Sequence, residues 1–108
     1  MLKSGAMKPP EYLTIGHVTK DITVSGPQLG GTVSFAGRVA VALNASTGIL
    51  TSAHPAYDLT QLTREMSVKR IDARETTTFE NEYTNHGRIQ TLHARAATLK
   101  PKHLPPKW

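Results

Sequence analysis

One carboxylate and one glycine pair stand out among the residues able to do chemistry. Asp21 follows a run of β-prone residues, and Gly30-Gly31-Thr32 opens a helical pattern shortly after it. Paired glycines at a helix start let a ligand approach backbone N–H groups that have no partner within the helix. A carboxylate close to that point can accept hydrogen bonds from sugar hydroxyls. The plainer reading is a tight turn beside a solvated aspartate, and for an isolated Gly-Gly pair it is the commoner outcome. Other chemistry is sparse. The five histidines, at positions 17, 54, 86, 93 and 103, form neither an i, i+4 helical pair nor a Cys/His metal spacing. There is no Gly-x-Ser-x-Gly elbow and no Gly-x-x-x-x-Gly-Lys-Ser/Thr loop, so hydrolase and P-loop chemistry lose their usual warrants. The absence of cysteine removes disulfides, thiolate catalysis and cysteine-held zinc together.

Composition sets the frame for these residues. A chain of 108 residues with 38% hydrophobic content suits one domain with one core. No stretch approaches the run of about 18 apolar residues that a membrane helix needs, and Met1 to Pro10 lack the apolar centre of a signal peptide. A soluble, cytoplasmic protein with no membrane partner is expected. The net charge of +5 is spread rather than clustered, because Asp72, Glu75, Glu80 and Glu82 interleave with the later cations. A nucleic-acid surface built from Arg88, Arg95, Phe79 and Tyr83 is the weaker reading of that charge, and no nucleic-acid partner is expected.

The elements that must position these residues follow from periodicity. Tyr12 to His17 is rich in β-branched and aromatic residues, follows Pro9-Pro10 and reads as a strand, with Asp21 to Val24 continuing it. Ser25 to Gly31 reads as a loop. Val33, Ala36, Val39, Ala40 and Leu43 then recur at helical offsets, which predicts a helix over 32–44 with Thr32 as its cap. Strands are expected over 48–52 and 67–71, with a second helix over 57–65 carrying Leu59 and Leu62 inward. Alternating strands and helices imply parallel pairing and an α/β fold. From Glu75 the pattern changes to a period of two, and Asn85-His86-Gly87 offers a three-residue hairpin loop returning through Arg88 to Ala94. The chain thus divides into a flexible 1–11, a folded 12–97 and a frayed Pro/Lys-rich tail over 98–108. Two helices over three strands leave one sheet face bare, and Trp108 has no later element to cover it, which suggests a piece of a larger domain.

The order of these pieces resembles the first third of ribokinase-like (PfkB family) carbohydrate kinases. The matching residues are Gly16-His17-Val-Thr-Lys-Asp21, Leu29-Gly-Gly-Thr-Val-Ser-Phe-Ala36, Gly48 to Ser52, Thr76 to Tyr83, and Gly87-Arg-Ile-Gln90. The form Gly-Gly-x-x-Ser-Phe is most similar to inositol-kinase-like members. The resemblance implies a partial ribokinase-like parallel sheet with helices and an antiparallel β lid hairpin. It implies substrate contacts from Asp21, Gly30, Gly31 and Thr32, with Asn81 and Gln90 as further contacts from the lid. It also implies a sugar, nucleoside or polyol acceptor, with ATP and Mg²⁺ serving the full-length parent and none bound by this chain alone. Phe35 departs from the asparagine common in the first helix of the family. The family's Gly-Ala-Gly-Asp motif, which supplies the anion hole and the general base, does not occur here. A chain without a base or nucleotide site is expected to be inactive by itself. Two further expectations remain: a homodimer through the lid strands, and, as an alternative function, a stand-alone α/β module that pairs through its hairpin and sheet edge.

Overall fold

The computed structural model describes residues 9–108. Two sheets share the chain. Strands β1 (Tyr12–Ile15), β4 (Thr47–Ala53) and β5 (Ser67–Asp72) form an all-parallel sheet, sheet A, with β4 central. Strands β2 (Thr19–Thr23), β3 (Gly26–Gly30), β6 (Thr78–Thr84) and β7 (Gly87–Ala94) form sheet B in the order β3-β2-β6-β7. Helix α1 (Thr32–Ala42) connects the two sheets, and the short α2 (Thr60–Thr63) precedes β5.

Sheet A and its helices follow the expected alternation of strand and helix with parallel pairing, with one difference of face. The buried positions of α1 are Val33, Ser34, Gly37 and Ala40, while Val39 and Leu43 are largely exposed. Small residues explain this. A Cβ on Gly37 would stand 2.7 Å from Met66 Sδ and 3.2 Å from Ile49 Cδ1, so the helix lies close over β4 through its smallest side chains. The larger Val39 and Leu43 stand beside Tyr12 of the edge strand β1. Helix α1 ends in a Schellman pattern: Asn44 takes φ 64°, its N–H donates to Val41 O, and Ala45 N–H donates to Ala40 O. At the other end Gly31, rather than Thr32, is the cap residue, and no side chain caps the helix.

The second helix is shorter than expected because Asp58 starts it late, accepting the Thr60 N–H at 2.9 Å. Its apolar residues nevertheless reach the core, where Leu59, Leu62, Ile49, Val33 and Met66 pack together. Removing a fully buried side chain such as Leu62 by truncation to alanine costs about 2–5 kcal/mol in comparable cores.

Two segments read as irregular take on a different role. The segment 25–31 is not a loop: Gly26–Gly30 pairs antiparallel with β2, in the register Thr19↔Gly30 and Asp21↔Gln28. Pro27 is tolerated because β3 is an edge strand of sheet B, where a missing N–H donor can face away from the ladder. The second change concerns the tail. Ile49 faces α1, so Gly48, Leu50 and Ser52 lie on the opposite face of β4, and all seven β4 residues are buried. Ala97 N–H donates to Ser52 Oγ at 3.2 Å, and the Trp108 ring lies 3.1 Å from where a Gly48 Cβ would be. The segment 98–108 therefore runs back along this face instead of fraying, with a 3-10 turn at Pro101–His103 on the way.

Sheet B is built of two hairpins, β2–β3 and β6–β7. The β6–β7 turn spans two residues, Asn85 and His86, rather than the three expected, because Gly87 already pairs with Thr84; Gly87 takes φ 116°. The β2–β3 turn repeats the design: Gly26 takes φ 101°, and the Thr23 and Thr84 hydroxyls each donate to the glycine carbonyl three residues on. Each hydroxyl also accepts the N–H two residues on, from Ser25 and from His86. The two hairpins join in parallel through Lys20↔Thr78, Asp21↔Phe79 and Ile22↔Glu80.

Candidate functional site

A cleft of about 790 Å³ lies where sheet B meets the start of α1 and the end of β1. Strand periodicity decides what faces it. Along β7 the lining residues are Arg88, Gln90 and Leu92, and along β2 they are Thr19 and Asp21. Thr77, just before β6, and Phe79 within it also line the cleft, while Glu80 and Glu82 fall on the other face by alternation. Ile15, Gly31, Thr32 and Phe35 complete the opposite wall.

Asp21 is held from two sides. The Thr19 hydroxyl donates to its Oδ1 at 2.8 Å, and its carboxylate occupies the space in front of Gly30. A Cβ on Gly30 would stand 2.1 Å from Asp21 Oδ2 and 2.9 Å from Thr19 Oγ1. Gly30 thus makes room for the carboxylate rather than for a ligand. Gly31 has a different constraint. It takes φ 98°, and its Cβ would meet the His17 carbonyl oxygen at 2.6 Å. The fold itself requires glycine there, because the helix start packs directly on the crossing from β1 to β2.

That crossing is stitched by His17. Its Nε2 lies 2.8 Å from the Ala97 carbonyl oxygen and its Nδ1 lies 2.9 Å from Thr77 Oγ1. A carbonyl only accepts, so the bond pattern assigns the proton to Nε2 and leaves Nδ1 to accept from the Thr77 hydroxyl. Thr77 Oγ1 also accepts the Ala96 N–H at 3.0 Å. Three segments passing between the sheets are therefore joined at one point.

Behind Asp21, the Tyr57 hydroxyl donates to the Thr19 carbonyl at 3.0 Å. Burial raises the Tyr57 pKa above its ordinary value, and the carboxylates of Asp21 and Asp58 raise it further. Asp58 itself is held below the usual carboxylate value, first by the Thr60 backbone N–H and then by the Thr60 hydroxyl. Arg70 Nη1 secures the same loop by donating to the carbonyls of His54, Pro55 and Tyr57 at 2.8 to 3.0 Å.

Of the residues singled out from the sequence, Asp21, Gly31, Thr32 and Gln90 line the one cleft. Gly30 sits behind Asp21. Asn81 pairs with Gln90 across the β6–β7 ladder but lies outside the cleft lining, and its enclosed Oδ1 has no hydrogen-bond partner among the described residues. His17, Thr77, Arg88 and Arg95 also reach the cleft, and the sequence marked none of them as an acceptor contact. For Arg88 a signal existed, since it stands two residues from Gln90 on the same strand face. For His17 none did, because its partners are 60 and 80 residues away.

No protein-family model matches the chain, and no curated protein sequence matches it. Solved structures do. A pyrophosphate-dependent kinase in the ribokinase family, complexed with a pyrophosphate analogue and myo-inositol, superposes with a TM-score of 0.70 at 24% identity over 85% of this chain. A sulfate complex of a pyrophosphate-dependent kinase in the ribokinase family gives 0.70 at 22% identity over 85% of the chain. Fructokinase from Vibrio cholerae O395 gives 0.68 at 17% identity over 87%. The chain spans 35%, 36% and 38% of those three proteins respectively. The arrangement of sheets A and B around the cleft is thus part of the ribokinase fold.

Proposed function

We propose that the chain is the acceptor-binding portion of a ribokinase-type kinase, with sheet B as the lid over a small polyhydroxylated acceptor. The observation that carries the reading is the convergence of Asp21, Gly31, Thr32 and Gln90 on one cleft between sheet B and α1. In this reading Asp21 and Gln90 take the hydroxyl groups of the acceptor, and Phe35, Phe79 and Leu92 cover its C–H faces. His17 holds sheet B in register with sheet A. The similarity to kinases whose structures contain myo-inositol or that act on fructose supports a sugar or polyol as the acceptor class.

The donor side calls on other residues. Among the described residues no three of His, Asp and Glu approach one another as a metal-ligand set, and Asp21 is the one carboxylate lining the cleft. ATP or pyrophosphate with Mg²⁺ does not fit that donor set, so no transfer step is assigned to this chain. The test is an NMR titration of the chain with fructose, glucose and myo-inositol. The reading expects shifts gathered at Gly31, Thr32, Phe79 and Gln90, and a loss of affinity of about tenfold or more in Asp21→Asn. Shifts absent from these residues with every ligand would defeat it.

A further inference from the structure

The formal charges lining the cleft are more cationic than anionic. They are Arg88, Arg95 and Asp21, two guanidinium groups against one carboxylate. Neither arginine forms an ion pair among the described residues, where the one carboxylate–cation contact is Glu80 with His93 on the outer face of sheet B. The two arginines differ in their surroundings. Arg95 also borders a neighbouring groove that contains Asp72 and Glu75, which offset its field. Arg88 has no such company. It pairs with Tyr83 across the ladder, and the acids of β6, Glu80 and Glu82, alternate to the opposite face.

An exposed arginine is ordinarily a solvated charge with little consequence. Arg88 is distinguished by its row. On one face of β7 the chain presents Arg88, Gln90 and Leu92, and in the next strands Phe79 and Asp21 stand level with Leu92. A ring whose hydroxyls met Asp21 and Gln90 would extend toward the hairpin tip, where the next group along β7 is a guanidinium. That fork suits a planar or tetrahedral oxyanion and offers nothing special to a hydroxyl.

We propose that the acceptor carries an anionic substituent, a phosphate or a carboxylate, and that Arg88 reads it at the outer end of the cleft. This inference rests on the acceptor-site reading given above. It adds that one end of the acceptor is charged and that the discrimination resides in a single side chain of the lid hairpin.

The experiment uses the whole chain and three ligands that share one ring: glucose, glucuronate and glucose 6-phosphate, with inorganic phosphate as a fourth. Affinities are measured by NMR titration at low and at moderate salt, for the native chain, Arg88→Gln and Asp21→Asn. At least one charged sugar is expected to bind about tenfold more tightly than glucose at low salt, with the gap narrowing as salt rises. The glucuronate and phosphate arms separate the two sources of charge. Arg88→Gln should bring the charged sugar down to the affinity of glucose while leaving glucose unchanged, and Asp21→Asn should weaken all sugars alike. Equal binding of the three sugars to the native chain would overturn the inference while the Asp21 effect still upheld the acceptor site. A preference for charge that survives in Arg88→Gln would also overturn it. Inorganic phosphate binding as tightly as glucose 6-phosphate, with no response to Asp21→Asn, would sink the acceptor-site reading and the inference together, as would binding of none of the sugars.

Discussion

Replacing Gly30 by alanine should change sign with the residue at position 21. Gly30 is buried at the end of β3, where it still pairs with Thr19, and its φ is not in the left-handed region. On conformational grounds alone, alanine in a strand is favoured over glycine by roughly 0.5–1 kcal/mol. The contacts oppose this. A new Cβ would lie 2.1 Å from Asp21 Oδ2, so the carboxylate must turn away and give up the 2.8 Å bond from the Thr19 hydroxyl. A hydrogen bond to a charged group is worth about 1.5–3 kcal/mol, and less for a half-exposed carboxylate, so a loss of about 1–2 kcal/mol is reasonable. The net cost of Gly30→Ala in the native background is then about 0.5–1 kcal/mol. In Asp21→Ala the obstacle is gone and the Thr19 hydroxyl is free to rotate, so the same substitution should be neutral or mildly stabilising. The assay is urea unfolding of the four proteins of this cycle, with m-values checked for constancy. A coupling of about 1 kcal/mol or more is expected. Equal effects of Gly30→Ala in both backgrounds, within about 0.5 kcal/mol, would refute the idea that this glycine exists to admit the Asp21 carboxylate.

Three further outcomes are expected. Gly31→Val should lower the melting temperature well before any ligand is added, because a Cβ at φ 98° would stand 2.6 Å from the His17 carbonyl; a thermal scan close to that of the native chain would contradict the geometry. The raised Tyr57 pKa, due to burial and then Asp21, means that its stabilising contribution is fully present below the ordinary tyrosine value and is lost as pH rises from there through the folded value. Tyr57→Phe should therefore cost about 0.5–1.5 kcal/mol at neutral pH, through the bond to Thr19, and should flatten the alkaline fall in stability measured by denaturant titration. Incubated with ATP or pyrophosphate, Mg²⁺ and the sugar panel, the chain should transfer no phosphoryl group; turnover that survives repurification and disappears in Asp21→Asn would reverse that expectation.

The βαβ unit was legible because its signals are local. Tyr12 to Ile15, Thr47 to Ala53 and the apolar offsets from Val33 announce their own structure, and Asn44 closes α1 with a residue suited to positive φ. What failed to show has long-range causes. Strand β3 hides behind Gly26, Pro27 and Gly30, residues that read as turn and become a strand only because β2 lies alongside. The inward face of α1 was misread because Ser34 and Gly37 are small enough for the helix to close on β4, a fact that depends on Ile49 and Met66. In the site, Asp21, Gly31, Thr32 and Gln90 could be picked out as candidates, whereas His17 and Thr77 work through partners that meet only in the folded chain.

The twin Thr-x-x-Gly turns of sheet B bear on how the chain reaches its native state. Each turn closes a hairpin whose contacts are local, β2 with β3 and β6 with β7, and elements of that kind form in about 1–10 μs. The bond between the hairpins is of another kind, since α1, β4, α2 and β5 separate Lys20 from Thr78 in the sequence. Such a pairing closes a long loop and is expected to be slow. Pulse-labelled hydrogen exchange should accordingly protect the amides of both hairpins and of β4 before the Lys20 N–H, which donates to Thr77 O across the junction, and simultaneous protection would argue for a single concerted step. Protection in that order would make the two halves of sheet B separate kinetic units, with the parallel seam setting when the cleft first exists.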